Sequence, residues 1–185
     1  VDELPVVVES RAALEPGAPQ LHAEAPGNRA YLWSCGDKAA TDAAFEAAAK
    51  VGAGCLLDAY HAFQVMPLDV RRWPTAFVLA GGYKYAQWGE GACWMRVPEG
   101  CTLRPVHTGW FSDFAGLEAG ASAGPIGYGP DNAHRFAGST YDPTSHYRAA
   151  AVADFFDAQG LDVPTLREIS LRQTERILEG VTEGG

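Results

Sequence analysis

Apolar residues in this protein come in short runs separated by turn formers. "AYLWSC" (Ala30 to Cys35) is such a run and predicts a strand. "DKAATDAAFEAAAKVG" follows, rich in alanine, with Asp37 placed to cap its start and Gly52 to stop it, so it predicts a helix. "GCLLDAYH" then predicts an apolar strand from Cys55 to Leu57, ending in Asp58 and His61. Strand, helix and strand in this order form a βαβ unit, which implies a parallel pair and a right-handed crossover.

"HAFQVMPLDVRRW" predicts a short helix that ends before Pro67. "TAFVLAGG" (Thr75 to Gly82) and "ACWMRVP" (Ala92 to Pro98) predict two more strands. The gap between them is too short for a crossover helix, so they are expected to be antiparallel neighbours joined by a loop that carries Lys84. Upstream, "PVVV" (Pro5 to Val8) is apolar and "EPGAPQLHAEAPGN" reads as loop. From Pro98 to Pro143 glycine and proline abound without periodicity, and so long a loop usually signals function or disorder. Two helices close the sequence. "SHYRAAAVADFFDAQG" has Thr144 or Ser145 as cap and Gly160 as stop; "VPTLREISLRQTERILEG" has Pro164 in its first turn and Gly180 as stop, after which "VTEGG" is expected to fray. The resulting organisation is an irregular segment over 1–29, an α/β core over 30–160 and a C-terminal helix and tail over 161–185.

The 185 residues are 47% hydrophobic and 20% charged, which suits one ordinary globular domain. The formal charge of -9 argues against a nucleic-acid binder, which needs a basic face. No apolar run is long enough to span a bilayer, and "VDELPVVVES" lacks the layout of a signal peptide. Cys35, Cys55, Cys93 and Cys101 show no CxxC spacing, so no metal site is expected; they read as reduced, mostly buried thiols of a cytoplasmic protein.

The residues suited to chemistry lie at strand ends. Ligands in open α/β sheets gather at the carboxyl ends of strands. Asp58, at such an end, is either a cap for the next segment or a site residue. His61 shares its side only if the backbone turns helically between them. In "GGYKYAQWGEG" Lys84 sits between Tyr83 and Tyr85, either as a surface lysine whose stem covers aromatic rings or as an amine in a partly desolvated pocket. An amine of the second kind can condense with a carbonyl cofactor. Pyridoxal phosphate (PLP) needs such a lysine and a carboxylate against its pyridine nitrogen, and Asp58 at one strand end and Lys84 after another would supply that pair.

"LLDAYHAFQVMPLDV", "AGGYKYAQWGEGACWMRVP", "RPVHTGWFSDF" and "HRFAGSTYDPTSHYRAAAVADFF" follow one another in that order. Together they resemble the class V aminotransferase superfamily of fold type I PLP enzymes, in its kynureninase-like branch. The resemblance runs from about Ala30 through the helix that starts near Ser145. Tyr83 stands where cysteine desulfurases and selenocysteine lyases more often have a histidine, which favours the kynureninase side. The resemblance implies a three-layer α/β/α sandwich around a mostly parallel sheet, and a homodimer. It implies Lys84 as the lysine that binds PLP covalently, Asp58 on the pyridine nitrogen and His61 beside the ring. Tyr83 is implied at the phosphate and in proton transfer, and Trp110, Ser139 and Thr140 as phosphate contacts, although "FAGST" departs from the kynureninase pattern there.

The implied activity is hydrolysis of a carbon–carbon bond in the side group of a small amino-acid substrate, with transamination or sulfur removal as alternatives. Members of this family are considerably longer. They carry a phosphate-binding turn upstream, for which "GPIGYGP" (Gly124 to Pro130) is a weak substitute, and a C-terminal domain with an arginine for the substrate carboxylate. The protein is therefore expected to be a fragment, a shortened relative, or a non-catalytic or incomplete subunit whose missing half comes from a second polypeptide.

Overall fold

A computed structural model of the protein describes residues 6–8, 30–34, 38–50, 52–105, 107, 109–118 and 132–183. Asp37, Cys35, the loop "EPGAPQLHAEAPGN" and the glycine-rich Gly124 to Pro130 lie outside the described residues.

Among the described residues, five strands form one sheet in sequential order: β1 (Val6–Val8), β2 (Ala30–Ser34), β3 (Gly54–Asp58), β4 (Ala76–Gly81) and β5 (Cys93–Arg96). The first four pair in parallel and β5 runs antiparallel to β4. Helix α1 (Lys38–Lys50) connects β2 to β3, which makes the expected βαβ unit. The fold is thus mixed α/β with a mostly parallel sheet. Helices α2 (Phe114–Glu118), α3 (Thr144–Ala158) and α4 (Val163–Glu183) follow the sheet. Among the described residues, no helix is long and apolar enough to cross a membrane.

Alternation of side chains along β3 and β4 builds the core. Cys55 and Leu57 are buried, and so are Ala76, Val78 and Ala80. The register sets Cys55 against Ala76 and Leu57 against Val78, so these residues share one face of the sheet. Helix α1 lays Thr41, Ala44, Phe45 and Ala48 onto this face, at helical spacing. Alanines on both sides let the helix approach closely. Phe45 meets the edge of Trp73 at 5.6 Å between ring centres, and Asp42 accepts hydrogen bonds from Trp73 Nε1 (2.9 Å) and from Arg72. Arg96 of β5 donates to the carbonyls of Trp73, Pro74 and Ala76, which ties the segment entering β4 to the sheet edge. On the opposite face Phe77 packs against Phe136 of a 3-10 turn (Asn132–Phe136), 5.5 Å between centres.

Several local expectations need correction. Val6–Val8, inside the segment read as irregular, form a parallel strand against β2. "HAFQVM" forms hydrogen-bonded turns and no helix, because Gln64 adopts a left-handed backbone (φ 66°) that interrupts the run of right-handed residues; a 3-10 turn (Val70–Arg72) follows Pro67. The start of α3 is held by Asp142, which accepts from the Thr144 amide at 2.9 Å, and neither Thr144 nor Ser145 caps it. Gly160 does end α3, at φ 65°. Gly180 does not end α4, which continues to Glu183; a helical glycine costs only about 1 kcal/mol relative to alanine. The long glycine-rich stretch contains α2 and two 3-10 turns (Trp110–Asp113 and Asn132–Phe136). Of the described cysteines only Cys55 is buried, while Cys93 is exposed and Cys101 half-buried, so "mostly buried" does not hold for them.

Leu57 is 0% exposed at the centre of the core, so Leu57→Ala lowers the unfolding free energy by about 2–5 kcal/mol, read by urea denaturation. Burial pushes the Cys55 thiol from 9.0 up to about 11. The unfolded polypeptide then ionises first as pH rises, so this thiol's contribution to stability is intact below pH 9.0 and is lost as pH climbs toward about 11. Cys55→Ala should flatten that part of the stability–pH curve.

Candidate functional site at the carboxyl edge of the sheet

Strands β3 and β4 are parallel and finish at the same edge, where Asp58 stands level with Leu79. The Ala59 amide donates to the Leu79 carbonyl at 2.9 Å, which carries the ladder one residue further. The backbone then turns. Asp58 Oδ1 accepts the Tyr60 amide at 3.0 Å, and the Ala59 carbonyl accepts the amides of Ala62 and Phe63. Asp58 therefore does cap the following turn, and this turn presents His61.

From the other side, β4 runs into Gly81 and Gly82. A Cβ at Gly81 would collide with the Tyr60 ring, and one at Gly82 would stand 2.6 Å from Trp88 Cβ and 2.7 Å from the Ala92 carbonyl oxygen. Glycine is required at both positions by close approach. The Gly82 carbonyl accepts the Trp88 amide at 2.7 Å and the Lys84 carbonyl accepts the Gln87 amide at 3.1 Å, with Gln87 left-handed at φ 56°. Helix α3 braces this loop from outside. Ser145 Oγ accepts the Gly91 amide at 3.1 Å, and Arg148 Nε donates to the Gln87 carbonyl at 3.2 Å.

These two turns bring Lys84 Nζ to 2.8 Å from His61 Nε2. An ammonium only donates, so a charged Lys84 requires Nε2 to be the acceptor and the His61 proton to sit on Nδ1. The amine also stands 5.6 Å from the ring centres of both Tyr60 and Tyr83, within reach of a cation–π attraction. The two rings lie 5.6 Å apart, tilted by 55°. The Tyr60 hydroxyl is held above the ordinary phenol range, first by burial, then by Cys93, Tyr83 and Asp58. A groove of about 610 Å³ opens beside the amine; His61, Gln64 and Gln87 line it on the sheet side and Phe156, Leu166 and Ile169 on the helical side. Its size lies in the range that receives small molecules.

The structure thus brings Asp58, His61, Tyr83 and Lys84 to one edge, with Asp58 linked to the amine through the turn that holds Tyr60 and His61. Trp110, Ser139 and Thr140 belong to a second group. Gly109 and Phe111 donate their amides to the carbonyls of Ala137 and Gly138, which zips the Trp110 turn to the segment that leads into Ser139. Trp110 is 52% exposed there and is no core aromatic, and Ser139 and Thr140 are exposed. Among the described residues, no cluster of three or more His, Cys, Asp or Glu side chains is placed to hold a metal. Sequence reasoning overlooked Tyr60, Gln64 and Gln87. The signal for Tyr60 was Gly81, a position where a Cβ would collide with its ring.

A phenol with a raised pKa keeps its proton longer in the fold than in the unfolded polypeptide. Its contribution to stability is therefore intact below the ordinary phenol range and is lost as pH rises beyond it. In an alkaline titration followed by tyrosinate absorbance, Tyr60→Phe should remove one tyrosine from the late end of the curve. No protein-family model matches this sequence, and no curated protein matches it.

Proposed function

We propose that the protein is a PLP-dependent enzyme, or part of one, that acts on a small amino acid, and that its reaction is hydrolysis of a carbon–carbon bond in the substrate's side group. In this reading the sheet and its helices are the large-domain core of a three-layer α/β/α sandwich. One observation carries the proposal. An amine and a carboxylate leave the ends of adjacent parallel strands, and one turn couples them, with His61 2.8 Å from the amine and Tyr60 bonded to the carboxylate.

A pyridoxal group asks for an amine and a carboxylate; of the residues assigned to it, Lys84 and His61 line the groove, whereas Asp58 and Tyr83 are not part of its lining and Asp58 is bonded to the Tyr60 amide. Lys84 offers a primary amine to the aldehyde, Asp58 a carboxylate to the pyridine nitrogen and His61 an imidazole beside them. When bound, PLP supplies an electron sink for negative charge at the α-carbon of an amino acid. Asp58 would keep the pyridine nitrogen of such a group protonated. Lys84 moves the proton at the substrate Cα, and the hydrogen bond to His61 aims its Nζ. The Tyr83 hydroxyl, 47% exposed as a residue, stands ready to pass a proton to a γ-carbonyl of the substrate. Trp110, Ser139 and Thr140 are the phosphate contacts in this reading. Aminotransferase or desulfurase chemistry would use the same lysine and carboxylate, so those reactions differ only in what happens beyond Cα.

A second reading has support of its own. Leu171, Ile177, Leu178 and Val181 of α4 are all more than half exposed. Apolar exposure of this kind marks interaction surfaces. It favours an incomplete subunit that meets a partner, either a second copy or a different polypeptide, and it is also compatible with a catalytic homodimer.

Adding PLP to the purified protein and recording the visible spectrum tests the proposal. The expected outcome is a visible absorbance band that borohydride abolishes, with the label recovered by mass spectrometry on Lys84. Lys84→Ala should abolish both. A protein that stays colourless with PLP, alone and after mixing with candidate partner polypeptides, sinks the enzymatic reading.

A further inference from the structure

Tyr60 plays no part in the sequence pattern that points to PLP, yet three observations converge on it. The Asp58 carboxylate accepts its amide at 3.0 Å, which fixes its backbone at the start of the turn. Its ring occupies the space that a side chain at residue 81 would need: a Cβ on Gly81 would stand 3.0 Å from one ring carbon and closer still to the next. The same Cβ would stand 2.8 Å from the Tyr83 ring, so both rings close over a single glycine. Above this pair lies the Lys84 amine, equidistant from the two ring centres at 5.6 Å.

We infer that Tyr60 is a positioning residue, which with Tyr83 forms a two-ring saddle that seats the Lys84 ammonium against His61, and that Gly81 is glycine in order to admit it. The attraction is between the charge and the negative faces of the rings. His61 supplies a single directional bond, which leaves the flexible lysine stem free to swing about it. Two ring faces at equal distance remove that freedom and fix where Nζ stands at the mouth of the groove. Asp58 gains a second role in this arrangement. By binding the Tyr60 amide it orients the saddle, so the carboxylate affects the amine through an aromatic intermediary as well as by charge. The saddle acts on the free amine and holds it whether or not PLP binds.

The test exploits the scarcity of lysine in the sequence, which has only Lys38, Lys50 and Lys84. Lys50 is exposed at the end of α1 and serves as the internal reference. Without added PLP, the 185-residue protein is treated with limiting formaldehyde and cyanoborohydride at neutral pH. Methylation of Lys84 relative to Lys50 is then quantified by peptide mass spectrometry. Tyr60→Leu removes one ring face, frees the amine and raises the Lys84 to Lys50 ratio by roughly two- to five-fold, the range of an exposed cation–π contact. Tyr60→Phe keeps the face and keeps the wild-type ratio, a rescue that a purely structural role would not tie to the presence of a π face. Gly81→Ala, which displaces the ring, should reproduce the leucine variant. If circular dichroism shows that Tyr60→Leu has lost its fold, Tyr60→Met fills the space without a π face and is read in its place. A ratio that stays at the wild-type value in folded Tyr60→Leu or Tyr60→Met overturns the inference. So does a ratio that rises in His61→Ala alone, because His61 would then hold the amine unaided. A failure to bind PLP leaves this measurement untouched, so the two proposals can fail separately.

Discussion

The register between β3 and β4 is the constraint on which the candidate site depends. Parallel strands deliver their carboxyl ends to one edge, and the pairing of Leu57 with Val78 sets how far each strand runs. With that register Asp58 emerges level with Leu79, and Lys84 follows after the glycine pair. A shift of one residue would turn the apolar face of β3 away from α1 and carry Asp58 to the opposite side. Core packing and site geometry therefore rest on the same pairing, and neither can slip without the other.

What the sheet positions, two turns refine. The Asp58–Tyr60 hydrogen bond reverses the backbone after β3, and the left-handed Gln64 closes that turn. After β4, the glycines admit the Tyr60 ring and the Trp88 side chain, and the left-handed Gln87 closes the second turn. Non-glycine residues in this conformation are held there against a steric cost. Both face the same groove, one from each turn. The site is thus assembled from backbone that is bent unfavourably at two points and braced by α3 through Ser145 and Arg148.

The electrostatic character of the groove is as informative as its shape. The protein as a whole is acidic, with a net charge of -9, yet among the described residues the side chains lining the groove are Lys84, His61, amides, hydroxyls and apolar groups, and Asp58, the carboxylate of the proposed site, is not one of them. An ammonium set in such a wall, hydrogen-bonded to an imidazole and flanked by ring faces, meets an anion, and once it has given up a proton its amine meets a carbonyl. This is the chemistry that the proposed function requires of Lys84.

Much of the local architecture was legible from residue order alone. The βαβ unit, the antiparallel return of β5 and the loop position of Lys84 follow from short apolar runs, an alanine-rich helix and a gap too short for a crossover, because these depend on neighbours in sequence. So does the stop at Gly160, where a left-handed backbone is needed. The tertiary structure decided the rest. The strand at Val6–Val8 exists because β2 offers it an edge, and the turn at "HAFQVM" replaces a helix because Gln64 is bent left-handed. The grouping of Lys84 with His61 and Tyr60, and of Trp110 with the segment before Ser139, depends on contacts between residues far apart in sequence. Spacing places a residue on an element, but only the packing of elements decides which side chains meet.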